Sequence, residues 1–140
     1  MSTLATAIEF ATRAHAGRVG EDGDPEIFHS MRVMLRLQDE LERQTAIIED
    51  AGKTSDELRA AGFAEEVVLA IETLTGRTGE TYDAYIQRVI QHPLATRVKQ
   101  ADVAEHASVV SKMPVNDEQI ARMGNYQRAR ATLAAAMRSF

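Results

Sequence analysis

Near the middle of the chain lies the segment Ala46-Ile47-Ile48-Glu49-Asp50-Ala51-Gly52. Its apolar half continues the buried face of a helix that we predict over residues 39–51, and Gly52 ends this helix because glycine readily adopts the left-handed C-cap conformation. The last turn then carries Glu49 and Asp50, which the negative end of the helix dipole disfavours. Acids at this position need a compensating cation, so the pair indicates either a metal or acid–base site or a solvated helix end.

Helical spacing of apolar residues continues on both sides of this segment. It predicts helices over residues 2–16, 25–37, 54–61 and 64–74, and three more that begin near residues 81, 93 and 116. No stretch alternates with the period of a strand. The sequence therefore predicts an all-α protein, and its 140 residues are enough for one compact domain over 1–140 with a sizeable core.

Local signals refine these helices. Thr54 and Glu57 form a capping-box pattern, and Asp24 followed by Pro25 predicts an N-cap with proline at the first helical position. Asn116 is the expected cap of the last helix. The side chains that we expect to face inward on the second and last helices are Ile27, Met31, Met34, Leu35, Ile120, Met123, Tyr126, Leu133 and Met137.

Composition excludes several classes of function. There is no cysteine, so neither disulfides nor thiolate chemistry are available. The net charge is −5 with basic residues scattered along the chain, which gives nucleic acid no electrostatic reason to bind. No apolar run reaches the roughly 20 residues that cross a bilayer. We expect a soluble, cytoplasmic protein without a nucleic-acid or membrane partner.

Two residues distant from the acid pair are candidates for the same site. His29 lies off the centre of the buried stripe of its helix, where it faces either a cleft or the packing around it. Asp102 is one residue from the buried line of Leu94, Val98 and Ala101. A lone buried carboxylate is costly unless something pairs with it, so Asp102 indicates a functional or ionic partner.

The order of motifs resembles the HD-domain alarmone hydrolases, which are related to the pyrophosphohydrolase half of the RelA/SpoT proteins. The segments that carry the resemblance are 7–11, 15–17, 23–25, 29–33, 58–63, 74–86, 97–102 and 120–129. The resemblance implies an HD-domain-like helical bundle that hydrolyses a guanosine polyphosphate-like nucleotide with Mn²⁺. The family holds this ion by a histidine, a His-Asp pair and a distant aspartate, and a Glu-Asp pair positions the attacking water.

Carried over by motif, His29 takes the first metal position and Asp102 the last. Lys99 and Tyr82 occupy substrate-binding positions, and Tyr85 is the expected core residue beside them. The segment between Ile48 and Thr54 is four residues shorter than in the family.

Two alignments remain open across this gap. In the preferred one Glu49 replaces the histidine of the His-Asp pair, Asp50 is the metal aspartate and the catalytic pair is deleted. In the other, Glu49 and Asp50 are the catalytic pair and the His-Asp ligands are absent. Four residues advance a helix by about 400°, so the pair faces nearly the same way in both.

Further departures concern the substrate side. The arginine that the family carries near the base is missing after Arg18, and His106 stands where the family has asparagine. The resemblance thus leaves two hypotheses. One is an active Mn²⁺-dependent pyrophosphohydrolase that uses His29, Glu49, Asp50 and Asp102. The other is a degenerate domain, with weak or absent Mn²⁺ binding and reduced or lost activity, that binds a nucleotide or a protein partner.

A degenerate site has a consequence for stability. Glu49, Asp50 and Asp102 would form a carboxylate cluster without its cation, and like charges destabilise the folded state near neutral pH. On this reading Asp102→Asn stabilises the metal-free protein.

Overall fold

The computed structural model describes residues 2–140 and confirms the all-α prediction. Regular structure in these residues is helical, apart from one isolated bridge between Val19 and Pro25. The α-helices of the described chain are α1 (Leu4–Ala14), α2 (Glu26–Leu35), α3 (Glu40–Ile48), α4 (Ser55–Ala60), α5 (Glu65–Leu74), α6 (Tyr82–Val89), α7 (Pro93–Val110) and α8 (Asp117–Met137). None of them is long and apolar enough to cross a lipid bilayer.

Helix α3 lies at the centre of the bundle. It contacts α1, α2, α5 and α7, and its last five residues, 44–48, are all buried. A helix that is buried on every side must be apolar or internally hydrogen-bonded, and this segment meets both needs. Ile47 and Ile48 fill the core as predicted, while the Thr45 hydroxyl donates to the Leu41 carbonyl at 2.8 Å.

The end of α3 differs from the prediction. The α-helix stops at Ile48, and a single 3₁₀ turn covers Glu49–Ala51 before Gly52, which has φ +71°. A final 3₁₀ turn is a common way to tighten a helix terminus. The side chains of Glu49 and Asp50 therefore project from a 3₁₀ turn and not from the face of an α-helix.

The predicted caps of α4 and α8 are confirmed. Thr54 and Glu57 form the reciprocal capping box, and the Asn116 side chain accepts from the backbone N–H of Gln119. The cap of α2 was predicted wrongly, because Pro25 is itself the N-cap. The preceding loop explains this: the Gly20 N–H donates to the Asp24 carbonyl at 2.8 Å, which holds Pro25 in an extended conformation in the bridge.

The buried face of α2 was also predicted wrongly in part. Met34 is buried, but Met31 is 38% and Leu35 63% exposed. Three polar side chains of α2 pair with α7 instead: His29 with Asp102, and Arg32 and Arg36 with Glu105. These pairs form only when the polar face of α2 is turned towards α7. In that orientation the side chains of Met31 and Leu35 lie towards solvent.

The last helix shows a related difference. Ile120 was expected to face inward but is 60% exposed, whereas Ala129 and Leu133 are buried. Only the later turns of α8 therefore cover the core. Helix α2 contacts α7, and the 3₁₀ turn after α3 brings Glu49 and Asp50 close to Asp102 of α7, so these three elements carry the candidate site.

Candidate functional site

Asp102 lies at the centre of the candidate site, on the part of α7 that faces α2. Its two carboxylate oxygens have different neighbours. Oδ2 accepts a hydrogen bond from Lys99 Nζ at 2.9 Å, and Oδ1 lies 3.0 Å from His29 Nε2. His106 Nε2 lies 3.3 Å from the same Oδ1. The structure thus brings His29 and Asp102, which are 73 residues apart, into direct contact.

These contacts fix the charge of the central groups. Burial by itself would raise the pKa of Asp102, but Lys99, His106 and His29 together lower that pKa well below its ordinary range. Burial by itself would lower the pKa of Lys99, yet Asp102 and Tyr85 raise it well above the usual value. At neutral pH the site therefore holds an anionic Asp102 against a cationic Lys99.

The acid pair approaches Asp102 from the 3₁₀ turn. One carboxylate oxygen from each of Glu49, Asp50 and Asp102 lies within 4.8 Å of the others. Burial, followed by the nearby carboxylates of Asp50 and Asp102, raises the pKa of Glu49 well above its ordinary value. The Arg18 guanidinium donates to the Asp50 carbonyl at 3.3 Å, which anchors this turn to the loop after α1.

Residues of the cluster line two cavities, each of about 410 Å³. The first is lined by His29, His106 and Asp50 together with Arg32 and Arg122. The second has Glu49 at its wall instead. Asp50 thus lines the cavity that contains the histidines and Glu49 lines the cavity that contains Lys99, while both acids line a third cavity of about 500 Å³ beside Lys53.

The second cavity contains the residues with predicted substrate-binding roles. Lys99, Tyr82 and Arg77 line it, and the Tyr82 hydroxyl is buried without a hydrogen-bond partner in residues 2–140. Lys99 Nζ lies 5.0 Å from the centre of the Tyr85 ring. Tyr85 is a core residue as predicted, since it is buried and donates to the Leu74 carbonyl at 2.7 Å. Burial raises the pKa of Tyr85 to about 12.

His106 is the residue of this cluster that the sequence did not assign to the site. The sequence shows a histidine at position 106 where the family has asparagine. By itself this difference indicates only a change on the substrate side of the site. The missed signal was spacing, because Lys99, Asp102 and His106 lie at i, i+3 and i+7 of one helix and so share a face. The ring centres of His29 and His106 are 4.3 Å apart.

The residues present fit a divalent metal ion. His29, Asp102 and His106 offer ligand atoms within 4.8 Å of one another, and Asp102 also belongs to the group with Glu49 and Asp50. Imidazole nitrogen and carboxylate oxygen are ligands that suit Mn²⁺, and two imidazoles with one carboxylate also suit Fe²⁺. The chain thus contains a His/Asp cluster with the donor types and closeness of a metal site.

Comparison with known proteins supports the architecture. No protein-family model matches this sequence, and no curated protein matches it either. A solved structure described as a metazoan ortholog of SpoT that hydrolyzes ppGpp and plays a role in starvation responses does match, with a TM-score of 0.68. The alignment covers 97% of this chain and 92% of that one, at 15% identity. The chain shares the all-α fold of that protein. At 15% identity this likeness shows the fold alone.

Proposed function

We propose that this chain is a metal-dependent, cytoplasmic pyrophosphohydrolase-like domain for a guanosine polyphosphate-like nucleotide, with an altered metal site that reduces its turnover. The observation that carries the proposal is the convergence of His29 and Asp50 on Asp102. Mn²⁺ is the proposed ion. The fold shared with a ppGpp hydrolase supports the substrate class.

A bound Mn²⁺ would acidify a water molecule and neutralise phosphate oxygens. The protein's own groups divide the remaining work. Their surroundings move the pKa values of Glu49 and Asp102 in opposite directions, upward for Glu49 and downward for Asp102. Such a separation assigns acid and base roles in a site. Asp102 would hold the cation, and the raised pKa of Glu49 makes this carboxyl the group better suited to donate a proton to a reacting oxygen.

The substrate side follows from charge. The first cavity is lined by Glu21, Asp22, Glu26 and Asp50, and its two arginines are paired with acids. The second cavity is less acidic, because Lys99 and Arg77 balance its two carboxylates, Glu49 and Glu80, even though Lys99 also pairs with Asp102. We therefore place the phosphates beside Lys99, where the unpartnered Tyr82 hydroxyl is a further donor.

Pyrophosphate release from ppGpp and related nucleotides tests this proposal. The recombinant chain is assayed with Mn²⁺ and with EDTA, beside His29→Ala and the control His92→Asn. His92 caps α7 through its side chain, and asparagine preserves a cap there. We expect Mn²⁺-dependent release that His29→Ala abolishes and His92→Asn retains. Release that persists in EDTA, or that survives His29→Ala, contradicts the proposal.

A second function has one observation in its favour. Lys99 already supplies a positive charge at 2.9 Å from Asp102, so the carboxylate is compensated without a metal. On this basis the domain binds a nucleotide without turnover, as the degenerate reading holds. Calorimetric binding of ppGpp in EDTA, with no release of pyrophosphate in Mn²⁺, is the result that selects this function.

A further inference from the structure

His106 occupies a position that its surroundings define closely. It follows Asp102 by one helical turn of α7, and its Nε2 atom lies 3.3 Å from Asp102 Oδ1. The ring is stacked on that of Tyr126, with centroids 6.0 Å apart, and the ring of His29 is tilted against it at 4.3 Å. One-third of the side chain is exposed, at the wall of the first cavity. The imidazole is thus held in place, aimed at the cluster and reachable from solvent.

We propose that His106 is a metal ligand, and that it supplies the second imidazole of a site formed with His29 and Asp102. The inference rests on the proposed metal-dependent function and identifies which residues bind the ion. The acid pair cannot provide this nitrogen, because both of its members are carboxylates. His29 and His106 direct Nε2 atoms at the same oxygen of Asp102, at 3.0 and 3.3 Å.

The charge of the set supports an imidazole at this point. A site of Asp50, Asp102 and His29 alone adds two carboxylates to one neutral nitrogen, which weakens the Lewis acidity of the ion. A second neutral donor raises the affinity without adding negative charge. Nitrogen donors also favour Co²⁺, Ni²⁺ and Zn²⁺ over Mn²⁺ to a greater extent than oxygen donors do.

This dependence on the metal gives the proposal a specific signature. Loss of His106 should lower the affinity for Zn²⁺ and Co²⁺ more than the affinity for Mn²⁺. General damage to the fold would instead weaken all three ions together. Asparagine is the suitable replacement, because it is small and polar and keeps an amide able to donate to Asp102.

Calorimetric titration of the full chain with Mn²⁺, Co²⁺ and Zn²⁺ tests the proposal, using wild type, His106→Asn and the control His92→Asn. We expect His106→Asn to lose at least about tenfold in Zn²⁺ affinity, since even supporting groups around a metal contribute 10–100-fold. The control should bind as wild type does. Equal affinity in wild type and a folded His106→Asn overturns the proposal.

Other outcomes separate this inference from the proposed function. If His106→Asn changes the KM for nucleotide and leaves metal affinity unaltered, His106 contacts substrate, and the inference fails while the metal-dependent function remains. If wild type binds no divalent ion, the proposed function fails first. Should His106→Asn not fold, the ring ¹⁵N shifts of His106 in wild type decide: a Zn²⁺-induced shift of Nε2 supports ligation, and its absence overturns it.

Discussion

At the scale of single residues, the neighbours of Asp102 determine what the site does without a metal. The sequence places three carboxylates together and predicts repulsion between them. In the structure Asp102 faces Lys99, His29 and His106, and the cationic Lys99 lowers its pKa well below the usual value. The sequence could predict that Asp102 would be buried. The contact of its Oδ2 atom with Lys99 depends on the conformation of the Lys99 side chain on α7.

Asp102→Asn should therefore destabilise the metal-free protein, the reverse of the expectation from sequence. The change leaves the Lys99 ammonium, whose side chain is 12% exposed, without its anion. Breaking a buried ion pair from one side costs about 3–5 kcal/mol. Urea denaturation in EDTA measures the loss, and the double variant Asp102→Asn/Lys99→Met should recover part of it. An increase in stability for Asp102→Asn would contradict this prediction and would support repulsion among Glu49, Asp50 and Asp102.

His15 gives a second residue-scale prediction, on pH. It is 3% exposed, and neither ring nitrogen has a hydrogen-bond partner within residues 2–140. Burial and the nearby Arg18 lower the pKa of His15 below its usual value of 6.5, while Glu26 and Asp50 oppose this shift. Below pH 6.5 the imidazole of the unfolded chain binds a proton more readily than that of the folded chain, so stability falls as pH falls. Replacement by leucine should flatten the decline in melting temperature between pH 7.5 and 5.5. An unchanged slope in His15→Leu rules this out.

At the scale of elements, the pairing of α2 with α7 shows where sequence reasoning reached its limit. The caps of α4 and α8 were predictable, because Thr54 and Asn116 act through local backbone chemistry, whereas the ends at Pro25 and Ile48 were not. The rotation of α2 was not predictable either, because Arg32 and Arg36 pair with Glu105 of α7. Glu105 is 69 residues from Arg36, and no local pattern contains that information. The spacing of His106 from Asp102 on α7 is visible in the sequence, but the contact of its ring with His29 of α2 depends on how the helices pack.

Glu105→Gln should weaken the α2–α7 contact. The Glu105 side chain is 8% exposed and accepts from Arg32 Nε at 3.0 Å and Arg36 Nε at 3.1 Å. Hydrogen bonds to charged groups contribute about 1.5–3 kcal/mol, and the partial exposure of both arginines places the expected loss near the lower end. The midpoint of urea unfolding measures it. The matched control is Glu65→Gln, whose pair with Arg59 lies in solvent and should contribute little. If both variants lower the stability equally, Glu105 does not orient α2.

At the scale of the whole molecule, the site joins segments from distant parts of the chain. His29 comes from α2, the acid pair from the turn after α3, and Asp102 from α7. The bundle arranged in this way was predictable from helical periodicity and from the order of motifs. A ligand that three elements bind together should stabilise the packing among these elements. Unfolding of any one element would release the ligand.

Mn²⁺ should consequently raise the melting temperature of the entire chain in one transition. A ligand at 100 times its dissociation constant adds about 2.7 kcal/mol to the free energy of unfolding. In a domain of this size each kcal/mol corresponds to roughly 3–5 °C, so the expected shift is about 8–14 °C. The same shift should be absent in His29→Ala and retained in His92→Asn. Calorimetric scans with EDTA and with Mn²⁺ measure it. Two resolved transitions, of which Mn²⁺ moves only one, would contradict both the single domain over residues 1–140 and the joining of α2, α3 and α7 by one ion.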